Sequence, residues 1–178
     1  MSQSVLYCAL NRRYVSPEVA AVVHDLANSM EEKHPGTQTR SLDGNFPFWD
    51  NFPLLPHLSH DDGEKLDLAL YWKMNGVYQP GRSPSPLGYW GYAVGPTSCP
   101  PRWFDLRWDM KWLQVLLPKM ETDNERMQTL LDLLSNDERV GKILIEPHLQ
   151  ASAGVSHQKI RFQGCRPARH DDHIHIQL

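Results

Sequence analysis

Apolar residues recur three and four positions apart at Val19, Val22, Val23, Leu26, Ala27 and Met30, a spacing that gathers them on one face of an α-helix. Ser16 and Pro17 supply an N-cap and a first helical position, and His34-Pro35-Gly36 ends the run. The same period returns at Met127, Leu130, Leu131 and Leu134, behind a capping box over Thr122-Asp123-Asn124-Glu125. A further helix is expected over residues 105–117, on Leu106, Met110, Leu113 and Leu117. Elsewhere the period is two. Residues 37–42 read as a strand with Gln38 and Arg40 on one face, and residues 66–71 as a strand whose Leu66, Leu68 and Leu70 face a core. Residues 141–146 read as a buried strand ended by Pro147. Residues 173–178 (His-Ile-His-Ile-Gln-Leu) alternate polar and apolar, as a half-buried final strand does.

Helices and strands mix without regular βαβ alternation, which predicts an α+β fold: one domain over residues 1–178, with a small antiparallel sheet packed with helices. Between residues 75 and 102 Pro, Gly, Ser and aromatics dominate, and Gln79 through Gly88 cannot form regular structure. Tyr89, Trp90 and Tyr92 give this segment something to bury, so it reads as an ordered excursion within the domain. An apolar fraction of 40% and six tryptophans fit a globular fold. A net charge of −3 without a basic block speaks against a nucleic-acid partner, which needs a cationic face. No apolar run reaches the ~18 residues of a membrane span, and residues 1–5 lack the pattern of a secretory signal. Cys8, Cys99 and Cys165 show no Cys-x-x-Cys spacing, so they form neither a zinc knuckle nor a dense disulfide framework. One disulfide plus a free thiol remains open to them in an oxidising compartment.

The final strand carries the chemistry. His173 and His175 are two apart, so both imidazoles project from one face while Ile174 and Ile176 enter the core. Paired histidines on a stiff strand suit a divalent metal. A catalytic zinc site wants three protein ligands and one open position. Ser59-His60-Asp61-Asp62-Gly63-Glu64-Lys65-Leu66-Asp67 offers the other two, with Gly63 permitting a sharp turn between His60 and a strand-borne Asp67. His60, Asp67 and His175 then make a two-histidine, one-carboxylate zinc site, with His173 beside the metal. Each half alone has a plainer account, a surface turn and a solvated strand end. Their occurrence together, with Asp171 and Asp172 adjoining, favours the metal.

Ser59-His60-x-x-Gly63-x-x-x-Asp67, followed late in the chain by His170-Asp171-Asp172-His173-x-His175, resembles the penicillin-insensitive murein endopeptidases. These belong to the LAS metallopeptidases, which include D-Ala-D-Ala dipeptidases and carboxypeptidases and share the zinc fold of the hedgehog domain. The resemblance rests on these two segments. It implies one zinc per chain on His60, Asp67 and His175, His173 as general base, and amide hydrolysis in peptidoglycan stem or cross-link peptides. It also implies a periplasmic or cell-envelope location, which the N-terminal sequence itself does not indicate. Where the endopeptidases carry an acidic residue two before the ligand Asp, this chain has Lys65, a departure that bears on substrate preference. Related dipeptidases use an upstream arginine on the developing oxyanion. Arg40 is the candidate here, with Gln38 as the alternative and a surface salt bridge as the competing account. His170 is expected beside the metal, orienting His173 or touching substrate, and Asp171 and Asp172 could fix imidazole tautomers.

Other residues are read as structural. His24 falls off the apolar stripe of its helix, His34, His57 and His157 lie in loops, and His148 follows a turn. Tyr89, Trp90, Tyr92 and Trp103 are expected to anchor the excursion before they line a groove. Nothing around Cys165 activates a thiolate. The reading from a different class is a non-catalytic, zinc-stabilised binding module; a zinc carboxypeptidase or amidase on another substrate is a third.

Overall fold

The computed structural model describes residues 2–3, 5–47, 52, 54, 59–100 and 111–178. In chain order these form β1 (Ser2–Gln3), α1 (Val5–Ala9), α2 (Pro17–Lys33), β2 (Arg40–Ser41), β3 (Lys65–Ala69), β4 (Trp72–Met74) and β5 (Val77–Tyr78). A 3-10 helix (Lys111–Leu116), β6 (Glu121–Thr122), α3 (Asn124–Asn136), β7 (Lys142–Leu144), α4 (Pro147–Ala153), β8 (Ile160–Arg161) and β9 (His173–Gln177) follow. The fold is α+β, as the patterning predicts.

Helix α2 starts where expected, because Ser16 Oγ accepts the Val19 N–H and Pro17 brings a pre-set φ without losing a bonded donor. Its stripe from Val19 to Met30 is buried against Met127, Leu130, Leu131 and Leu134 of α3 and against Leu66, Leu68, Ile174 and Ile176 of the sheet. The cap of α3 lies one residue later than the capping box suggests. Thr122 is occupied in β6 opposite Trp72, and the buried Asp123 accepts the Arg126 N–H while its carboxylate pairs with Arg126 and Lys73.

Among the described residues the main sheet runs β1-β2-β3-β9-β7-β8. Its central ladders are antiparallel, and parallel pairs β1–β2 and β7–β8 close the two edges. The sheet is therefore larger than expected and mixed at its margins. The strand expected over residues 37–42 shrinks to Arg40–Ser41; just before it the Gln38 N–H donates to the Tyr78 hydroxyl instead of a ladder carbonyl. A second sheet, β5-β4-β6, takes the start of the excursion. Asn75 and Gly76 both adopt positive φ, the turn that joins two right-twisted strands. Pro147 opens a helix that the sequence reading ended in a turn: α4 begins on it and stops at Gly154, left-handed at φ 69°. The expected helix over 105–117 survives as the 3-10 turn; its first half, Trp103 and His57 lie outside the described residues.

Cys99 and Cys165 form a disulfide, and Cys8 is free. No helix is long and apolar enough to cross a membrane among the described residues.

Candidate metal centre

Strands β3 and β9 set the site. Their register places Asp67 opposite His175 and Ala69 opposite His173, with Leu68 opposite Ile174 and Leu66 opposite Ile176. Because side chains alternate, the leucines and isoleucines go to the helices while Asp67, His173 and His175 share the other face. The turn at Gly63, with φ 80°, carries the chain back from His60 to β3. Lys65 is occupied close by, its ammonium bonding Asp61 and Asp62, so it closes this turn.

His60 Nε2 lies 3.0 Å from His175 Nδ1 and 3.2 Å from Asp67 Oδ1, and His175 Nδ1 lies 3.0 Å from the same oxygen. These three residues are the group among the described residues that could hold a metal ion. The donor set fits one. His60 Nδ1–H donates to the Gly44 carbonyl at 2.8 Å, which turns Nε2 inward to the group. Tetrahedral bonds of 2.0–2.1 Å imply ligand separations of roughly 3.3 Å, close to those found. Burial, reinforced by the imidazoles of His60 and His173, lowers the His175 pKa to about 4 against the pull of Asp67. The neutral ring that results is the metal-binding form. His60 and Asp67 are 0% exposed and His175 3%.

His173 stands beside this group, 1% exposed, with Nε2 3.7 Å from Asp67 Oδ2. Its Nδ1–H donates to Asp172 Oδ1 at 2.5 Å, which leaves Nε2 as the basic nitrogen. The second Asp172 oxygen accepts the Trp90 N–H at 2.5 Å, and Trp90 holds a left-handed φ of 61° to make this bond. His170 donates from Nδ1 to the Ala168 carbonyl, and its ring lies 4.6 Å from that of His173 and 5.9 Å from that of His175. Asp171 faces away into a buried ion pair with Arg169, whose guanidinium covers the Tyr92 ring.

Arg40 sits on the same face. From the pairing of Ser41 with Leu68, Arg40 falls beside Ala69, and Ala69 is opposite His173. Its guanidinium donates to the carbonyls of Gly81 at 3.4 Å and Pro86 at 3.2 Å. Among the described residues no carboxylate pairs with it, so the surface salt bridge is not formed. Gln38 lines the same small cleft but is exposed.

One contact escaped the sequence reading. Tyr89, expected there as an anchor of the excursion, reaches the His60–Asp67–His175 group itself: its hydroxyl donates to Asp67 Oδ2 at 2.7 Å. Burial, then the Asp43 and Asp67 carboxylates, raises its pKa well above the ordinary tyrosine value, so it remains a neutral donor. Among the described residues the other histidines read as structural stay apart from the group. His24 is exposed, His34 bonds Thr129, His157 accepts the Lys159 N–H, and the His148 ring packs on Gly95. No protein-family model matches the chain, and no curated protein matches it.

Proposed function

We propose that this chain is a zinc metallopeptidase that hydrolyses amide bonds of peptidoglycan stem or cross-link peptides, on the pattern of the murein endopeptidases it resembles. One observation carries the reading. Three buried ligand atoms from two distant motifs converge to 3.0–3.2 Å, with a histidine of fixed tautomer next to them. Zinc held by His60, Asp67 and His175 supplies Lewis-acid polarisation and a water acidic near neutral pH. Asp172 orients His173 so that Nε2 takes the proton of the attacking water and returns it to the leaving amine. His170 keeps the His173 ring in place from its other side. Arg40 is the cation assigned to the developing oxyanion. The Cys99–Cys165 disulfide supports an oxidising compartment such as the cell envelope.

A zinc-stabilised binding module is favoured by one feature, the near-complete burial of His60, Asp67 and His175, which limits the access a substrate needs. Incubating zinc-loaded protein and its His173→Ala variant with cross-linked muropeptides, and following products by mass spectrometry, separates the readings. Conversion of dimers to monomers by the parent alone supports the endopeptidase. Release of terminal D-alanine makes the chain a carboxypeptidase. One tight zinc with no product from either protein counts against the murein assignment and moves the binding module to the front.

A further inference from the structure

We propose that Tyr89 is a positioning residue of the metal centre: its hydroxyl holds one oxygen of Asp67 so that only the other is presented to the metal. The inference rests on the metal-binding reading of His60, Asp67 and His175. The Tyr89 oxygen accepts the backbone N–H of Asp43 at 3.2 Å, so its own O–H points to Asp67 Oδ2, 2.7 Å away. Oδ1 is left facing His60 Nε2 and His175 Nδ1. A carboxylate with both oxygens free can rotate or chelate, whereas one pinned at Oδ2 offers a single, aimed donor. Partners of this kind orient metal ligands and raise affinity.

The surrounding chain fixes the tyrosine rather than leaving the contact to chance. Tyr89 is buried with Tyr7, Leu42 and Ala69, and its ring meets those of Tyr7 and His173 edge to face, with centroids 5.8 and 4.9 Å away. Two residues earlier the Leu87 carbonyl accepts the Tyr7 hydroxyl at 2.7 Å. Gly88 lets the backbone come this close: its φ is 93°, and a Cβ there would stand 2.5 Å from Leu42 Cδ2. The excursion between the two motifs thus supplies a residue that acts on the metal through Asp67.

The test is zinc affinity, measured by competition with a chromophoric chelator, for the parent, Tyr89→Phe and Tyr7→Phe. Tyr89→Phe keeps the ring and removes the donor, so affinity should fall ~10–100-fold under conditions where both metal-free proteins are shown to be folded by urea titration. Tyr7→Phe loosens the same segment without touching Asp67 and should bind zinc as the parent does. Tyr89→Leu, which also keeps apolar bulk, is a second route to the same loss. A Tyr89→Phe affinity equal to the parent's overturns the proposal, as does an equal loss in Tyr7→Phe, which would make Tyr89 an anchor only. A parent that binds no zinc instead removes the metal reading beneath it.

Discussion

Reducing the Cys99–Cys165 disulfide should cost this protein a large share of its stability without changing its native structure. The bond joins the far end of the excursion to the loop that leads into His170, across a sequence separation of 66 residues. Closing a loop of that length removes about 15 cal/mol/K from the unfolded chain, or ~4 kcal/mol at 25 °C. For a chain of this size that corresponds to a fall in Tm of roughly 8–16 °C. Oxidised protein, protein held in a phosphine reductant, and a Cys99→Ala/Cys165→Ala variant should be melted in parallel and unfolded in urea. Alanine is chosen because Cys99 is buried and a serine hydroxyl there would add its own penalty. Since the effect acts on the unfolded chain, refolding should slow more than unfolding quickens. Near-ultraviolet spectra should coincide for the three forms. Equal melting temperatures in oxidised and reduced protein would refute the reasoning, by showing that the unfolded chain gains no freedom when the link is cut.

Asp67→Asn removes the charged ligand, and zinc affinity should drop by more than the ~10–100-fold typical of outer partners, measured by calorimetry. For the parent, free zinc at about 100 times Kd should add ~2.7 kcal/mol of stability, and the variant's melting curve should ignore the metal. Gly88→Ala puts a side chain at φ 93° and against Leu42, and should destabilise by about 2 kcal/mol in urea unfolding. Burial acts on Asp123 to raise its pKa, but bonds from Arg126 and Lys73 outweigh it and leave the pKa below the ordinary 3.8. A depressed folded pKa means its contribution is present above the unfolded value and lost as pH falls through the folded one. Urea midpoints should therefore decline below about pH 4, and Asp123→Asn should flatten that acid limb.

What could be read in the chain was what local pattern dictates. Helix α2 follows from Ser16-Pro17 and an apolar stripe, and β9 from strict alternation, because each is specified by residues adjacent in sequence. The proximity of Asp67 and His175 was legible for the same reason: two short alternating strands with chemistry on one face pair readily. The hairpin at Asn75-Gly76 was hidden by the Pro-rich run behind it, although that dipeptide is a strong turn signal. Helix α4 is harder to see because Pro147 ends a strand as readily as it opens a helix, and only Gly154 seven residues on marks the second role. Tyr89 and the Trp90 N–H could not be located at all. Their partners, Asp67 and Asp172, lie 22 and 82 residues away, and only the tertiary course of an irregular segment brings them together. Arg40 falls between these cases: its strand face was predicted, but not the carbonyl cage from Gly81 and Pro86.

Strand β9 carries two unrelated jobs back to back, Ile174 and Ile176 toward the helices and His173 and His175 toward the ligand group. Inserting or deleting one residue there would exchange the two sets, putting imidazoles in oil and isoleucines where the carboxylate waits. Core and chemistry therefore cannot drift apart by small length changes at this strand. Length changes are better borne by the irregular excursion, which meets the ligand group through side-chain and backbone contacts at Tyr89 and Trp90 rather than through a ladder.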